Sequence, residues 1–173
     1  MLLTVEGLRV TYRLRKGWPF PTTRLLKAVD GVDFDVAKGE AFGIVGESGC
    51  GKSTVARAIL RLVEPAGGRV VFSGVDTTRL PMRQLRRLRP KLQMIFQDPA
   101  ASLSPRMRVG DALAEAIRVH RIASGSGVEA LVRSALGEVG LPPEAASRFP
   151  HEFSGGQKQR IGIARALVLS PKL

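Results

Sequence analysis

Two short stretches of the chain carry residue types that bind anions. GESGCGKST sets Gly46, Gly51, Lys52 and Ser53 in the spacing G-x-x-x-x-G-K-[ST], with Glu47, Ser48, Gly49 and Cys50 filling the loop and Thr54 following it. Glycines allow successive backbone N–H groups to turn inward around a phosphate, and a helix starting at the loop adds the positive end of its dipole. Lys52 can then bridge β- and γ-phosphates, the Ser53 hydroxyl can ligate Mg²⁺, and Thr54 can reach an α-phosphate. The bland alternative is a chance glycine turn. The second stretch, FSGGQKQR, puts Gly155 and Gly156 at the mouth of a helical pattern, which is a second anion site by the same physics. Ser154 is also a good N-cap, and capping alone would account for its position.

The elements that must position these residues can be read from periodicity. LLTVEGLRVTY alternates loosely, and GVDFDVAKGE places Val32, Phe34 and Val36 opposite Asp33 and Asp35, so the two predict an antiparallel edge layer. RLRKGWPFPTTR between them reads as a surface loop. AFGIVG is a short apolar run ending in glycine, the pattern of a buried parallel strand, and it leads through the phosphate loop into a helix over 53–63 with Val55, Ile59, Leu60 and Val63 at helical spacing. RVVFSG predicts a strand, MRQLRRLR a short exposed helix, and KLQMIFQ a buried strand ending at Gln97. DPAASLSPRM then breaks the pattern. Helices follow over 109–120, with Asp111 suiting the dipole at its start, and over 128–139. After the connector LPPEAASRFPHEF, a third helix opens at the second glycine pair, with Ile161, Ala164, Leu167 and Val168 along one face.

Composition narrows the class. A chain of 173 residues suits one folding unit, and 44% hydrophobic with 5% aromatic residues is the profile of a soluble globular chain. No apolar run is long enough to span a bilayer, and MLLTVEGLRV has no export leader, so a cytoplasmic chain is expected. Cys50 is the only cysteine, which excludes an internal disulfide, and its place in the loop gives it no catalytic role. The net charge of +12 raises nucleic acid as a partner. The densest basic run, MRQLRRLRPK, has no interleaved aromatics to stack bases, so no nucleic acid is expected.

Taken in order, GESGCGKST, MIFQDPAASLSPRMRVGD and PHEFSGGQKQRIGIARAL resemble an ATP-binding cassette ATPase, with the nearest likeness in the oligopeptide and dipeptide importer branch. The likeness covers nearly the whole chain, including AVDGVDFDVAKGE. It implies an α/β P-loop NTPase fold with a RecA-like core, an antiparallel β edge layer and a helical subdomain, the C-terminal part of the core being missing. In that division 1–173 is a single incomplete domain, 1–97 and about 158–173 forming core and edge layer and about 98–157 the helical subdomain with the signature motif.

The resemblance also implies roles. Tyr12 falls where the family stacks an aromatic on adenine, although an ordinary strand aromatic packed on the core would look the same and Trp18 and Phe20 are nearby alternatives. Gln97 matches the glutamine that touches Mg²⁺ and the attacking water, which makes it the one catalytic candidate in the chain and, with Ser53, a metal ligand. Ser154, Gly155, Gly156 and Gln157 match the signature that contacts the γ-phosphate held by a second subunit, with Phe153 where many members have leucine. The implied cofactors are ATP and Mg²⁺. The implied partners are a second ATPase subunit, identical or not, docked head to tail, a transmembrane permease, and through it a solute-binding protein. The implied place is peripheral, on the cytoplasmic face of the membrane.

The chain departs from the family pattern at LVLSPKL, where relatives continue into an apolar strand carrying the Asp that supports Mg²⁺ and the Glu that polarises water, with a switch histidine further on. His120 and His151 both precede the signature. The expectation is that the parent protein hydrolyses ATP while this chain binds nucleotide weakly and turns it over negligibly. Two other classes stay open: a soluble cassette ATPase outside transport, and a nonproductive nucleotide-binding fragment.

Overall fold

The computed structural model describes residues 1–17, 19, 22–97 and 103–173. It divides into two compact units, Met1–Arg86 and Arg87–Leu173.

The first unit is built on an antiparallel sheet. Strands β1 (Leu3–Lys16), β2 (Thr22–Val36), β3 (Gly67–Phe72) and β4 (Val75–Asp76) lie in the order β2-β1-β3-β4. β1 is the centre, with Leu3 opposite Val36 on one side and Phe72 on the other. As the alternation predicted, Val36 is buried and Val32 and Phe34 are half-buried, while Asp33 and Asp35 face water. Gly7 breaks the register at a positive φ of 54°, and its N–H donates to the Asp33 carboxylate at 2.6 Å. Helix α1 (Lys52–Ile59) covers the sheet, adding Val55, Ala58 and Ile59 to a core of Leu3, Val5, Leu8, Val10 and Val70.

Three expectations for this unit are corrected. The basic Pro- and Gly-rich stretch after Tyr12 is mostly strand: β1 runs to Lys16 and β2 starts at Thr22, because residues 13–16 and 22–25 find cross-strand partners such as Arg13 opposite Leu25. Helix α1 ends at Ile59 rather than at 63. Arg61 there turns to φ 48° and its guanidinium donates to the carbonyls of Thr77 (3.1 Å) and Leu80 (2.6 Å), an anchorage that a continued helix would forbid. AFGIVG forms no strand. Ile44 and Val45 are exposed and Phe42 instead stacks on Phe34, at 4.9 Å between ring centroids. A parallel strand needs hydrogen-bonding neighbours on its edges, and none stands beside it among the described residues.

Helix α2 (Met82–Leu88) carries the chain from one unit to the next, exposed as expected except for the buried Leu85 and the half-buried Leu88. The second unit packs α3 (Val109–Val119), α4 (Ser126–Glu138) and α5 (Gly155–Leu167) with short 3-10 turns that include Arg89–Lys91, Pro143–Ser147 and Pro150–Glu152. Its core joins Leu113 and Ile117 of α3, Val132 and Leu136 of α4, and Ile161 and Ala164 of α5. Leu167, expected on the same stripe, is exposed, and Val168 and Leu169 take the buried positions.

KLQMIFQ is also not a regular strand, yet it makes the first bonds of a parallel ladder. Leu173 N–H donates to the Lys91 carbonyl (3.1 Å) and Gln93 N–H to the Leu173 carbonyl (2.9 Å), the pattern of a parallel bridge across Leu92. Ile95 and Phe96, further along, have no strand beside them among the described residues and are exposed.

Candidate functional site: two anion-binding helix starts

The phosphate-loop geometry follows from its glycines. Gly49 and Gly51 take φ of 85° and 100°, values that side-chain-bearing residues avoid, and Gly51 is the N-cap of α1. A β-carbon on Gly51 would overlap the carbonyl oxygen of Ala28 in β2, so the loop lies directly on the sheet edge. Cys50 N–H donates to the Glu47 carbonyl at 3.3 Å and closes the turn. The Cys50 thiol leans over Gly46, where a β-carbon would come within 2.7 Å of the sulfur. A side chain at 46 would therefore have to push the Cys50 thiol aside, a relation the spacing alone does not disclose.

Helix α1 begins without a side-chain cap and without an acidic residue in its first turn. The N–H groups of that turn have no acceptor within the helix, so they are available to an anion. Lys52 folds back over the loop, its Nζ donating to the carbonyls of Gly46 (2.7 Å) and Glu47 (2.6 Å) and lying 3.5 Å from the Cys50 sulfur. Its ammonium is held at the loop by these two neutral carbonyls, which charged phosphate oxygens can replace. Ser53 is exposed and Thr54 half-buried. Orphan donors, an adjacent cation and a free hydroxyl form a donor set that fits a polyphosphate with its divalent cation. A cavity of about 600 Å³ adjoins the loop, bounded by Val29, Phe34, Phe42, Cys50 and Gly51.

Tyr12 is half-buried, packed against the core of the first unit and paired across the sheet with Leu26. Trp18 and Phe20, the alternative aromatics, lie outside the described residues, as do Asp98 and the residues through 102 that follow the glutamine. Gln97 is exposed at the end of the KLQMIFQ segment. Among the described residues no cluster of three or more His, Cys, Asp or Glu stands ready to hold a metal. No helix is long and apolar enough to cross a membrane.

The second helix start is built differently. Ser154 caps α5: its Oγ accepts from Gln157 N–H at 3.3 Å while Gln157 Oε1 accepts from Ser154 N–H at 2.9 Å. This reciprocal box fixes the first turn and leaves the N–H groups of Gly155 and Gly156 without a side-chain cap. Both glycines are exposed and a β-carbon on either would meet nothing. Phe153 is buried in the helical core just before the cap and anchors the entry. Tyr12 and residues 46–54 therefore belong to the first unit, and Gln97 and Ser154–Gln157 to the second.

The ABC transporter family model matches residues 29–173. The oligopeptide transport ATP-binding protein OppF of Salmonella typhimurium is 48% identical over 176 aligned positions, covering 100% of this chain and 53% of OppF. The glutathione import ATP-binding protein GsiA of Escherichia coli is 50% identical over 99% of this chain and 28% of its own length. Among solved structures, the dimeric post-hydrolysis state of the ATP-binding cassette MJ0796, bound to ADP and Pi, superimposes with a TM-score of 0.82 at 29% identity, over 98% of this chain and 70% of that one. The chain spans about half the length of the curated relatives it matches first.

Proposed function

Since the chain belongs to the ABC transporter family, we propose that it is part of the ATP-binding, energy-coupling subunit of an importer for peptides or related solutes. The observation that carries this reading is the joint presence of an uncapped helix start behind a glycine loop and a Ser-capped, glycine-faced helix start, on a chain about half identical to OppF and GsiA.

In this reading the backbone N–H groups of the loop and of the first turn of α1 receive the phosphates, and Lys52 exchanges its carbonyl partners for phosphate oxygens. The side chains that would hold Mg²⁺ are Ser53 and Gln97. A divalent cation held there would supply positive charge against the phosphates. Tyr12 offers an aromatic face to adenine. The free N–H groups at Gly155 and Gly156, with the Ser154 hydroxyl, supply donors that one loop does not need, and they serve the nucleotide of a second cassette docked head to tail. Support for such a pairing comes from the dimeric MJ0796 cassette. ATP hydrolysis, the permease partner and residence on the cytoplasmic face of the membrane are proposed for the whole protein.

The test separates the two helix starts. In the isolated chain Lys52→Ala should weaken binding of a fluorescent ATP analogue by at least about tenfold, whereas Ser154→Arg should leave it within about twofold. In the assembled importer both should suppress ATP-driven uptake. An equal loss of nucleotide affinity from Ser154→Arg in the isolated chain would overturn the assignment of this motif to a neighbour's nucleotide.

A further inference from the structure

The sheet of the first unit has an arm. β3 pairs with β1 only as far as Arg9, but β1 and β2 stay paired out to Lys16 opposite Thr22. Residues 11–16 and 22–27 thus form a ribbon of two strands, an arrangement that is marginal in water without something packed on it. Three leucines of this ribbon are exposed: Leu14 by 50%, Leu25 by 67% and Leu26 by 50%.

Register decides how they are displayed, because directly opposed residues share a face. Leu26 and the opposed pair Leu14 and Arg24 lie on one face with Lys16; Leu25, opposite Arg13, lies on the other with Arg15. Each face therefore carries exposed leucine flanked by cations. No acidic residue occurs between Thr11 and Lys27. Lys27 pairs with Asp30 at the base of the arm, but among the described residues Arg13, Arg15, Lys16 and Arg24 have no ion pair.

A protein partner seated on one face would leave the leucine of the other in water, whereas a fluid interface wets both. Cations flanking exposed leucines on both faces match anionic headgroups over an acyl boundary. We propose that this ribbon is a docking arm for an anionic phospholipid surface, with Arg15, Lys16 and Arg24 on the phosphates and Leu14, Leu25 and Leu26 entering the interface. The arm adjoins the nucleotide site at its base, where Tyr12 stands opposite Leu26 and Lys27 lines the cavity beside the phosphate loop, but Leu14, Arg15, Lys16, Arg24 and Leu25 are not among the residues assigned to nucleotide, and the proposal does not depend on which solute the importer carries.

The test is vesicle binding by the whole chain, followed through Trp18, its only tryptophan, which lies in the sequence between the two strands. Phosphatidylcholine vesicles containing phosphatidylserine should bind the chain and shift Trp18 emission to shorter wavelength, and pure phosphatidylcholine vesicles should not. At about fivefold per basic side chain, Arg15→Gln/Lys16→Gln/Arg24→Gln should weaken binding about a hundredfold. Leu25→Ser should weaken it about fivefold while leaving its salt dependence unchanged. The charge-matched control Arg83→Gln/Arg86→Gln/Arg87→Gln, on the exposed helix α2, should bind within about twofold of the parent. Equal binding to neutral vesicles, or an equal loss in the α2 control, would overturn the proposal. Circular dichroism and nucleotide binding confirm that each variant is folded.

Discussion

A β-carbon at Gly51 would overlap the carbonyl oxygen of Ala28, and the φ of 100° at Gly51 is one that alanine avoids. Sterics and backbone preference therefore act together at the N-cap of the phosphate-binding helix. Gly51→Ala should cost about 1–3 kcal/mol of stability and displace the loop. Chemical denaturation and ATP-analogue titration check this together, and a variant with parental stability and affinity would show that the loop is not fixed by β2.

At the second helix start the cap can be removed without touching the core. Ser154→Ala breaks the reciprocal bonds to Gln157 and should destabilise the chain by about 1 kcal/mol, against a few tenths for Ser154→Gly. The readout is the denaturant midpoint at unchanged slope. A negligible cost for both substitutions would mean that the serine side chain contributes nothing to the fold.

The helical core offers a third check. Ile161 is fully buried among α3, α4 and the start of α5, so Ile161→Ala should cost about 2–5 kcal/mol. Loss of helical signal at lower denaturant would register it. A cost below about 1 kcal/mol would indicate that the helices are not packed as described.

Asp76 gives the first unit an acid sensitivity. Burial opposes its charge, but the Thr78 backbone N–H and hydroxyl and the Arg69 guanidinium outweigh that and hold the carboxyl below its ordinary 3.8. The folded value lies below the unfolded one, so the fold favours the charged form. That stabilisation is complete above the unfolded value and is lost as pH falls through the folded one. Thermal unfolding should therefore show Asp76→Asn less stable than the parent at neutral pH, with the gap closing in acid. A gap independent of pH would contradict the assignment.

What could be read from the sequence is what depends on near neighbours. The glycine spacing of the phosphate loop, the Ser154 cap and helices α3 to α5 follow from local capping and period, and all are present. AFGIVG and KLQMIFQ carry equally clear strand signals, but a parallel strand exists only through partners distant in sequence, and only the bridge to Leu173 forms. The converse held at Arg13 to Lys16, where basic charge beside Gly and Pro suggested a loop while cross-strand pairing made a strand. The Cys50 thiol over Gly46 and the Ala28 carbonyl under Gly51 were invisible for the same reason: spacing names the loop but not what it rests on.

The nucleotide affinity of the chain and its dependence on Lys52 bear most directly on the proposed function. Titrating a fluorescent ATP analogue with and without Mg²⁺ should give saturable, Mg²⁺-enhanced binding that Lys52→Ala weakens by at least about tenfold, since the Lys52 ammonium is held on the loop carbonyls. Binding unchanged by Lys52→Ala and indifferent to Mg²⁺ would contradict the assignment of Gly46 to Thr54 as the phosphate site.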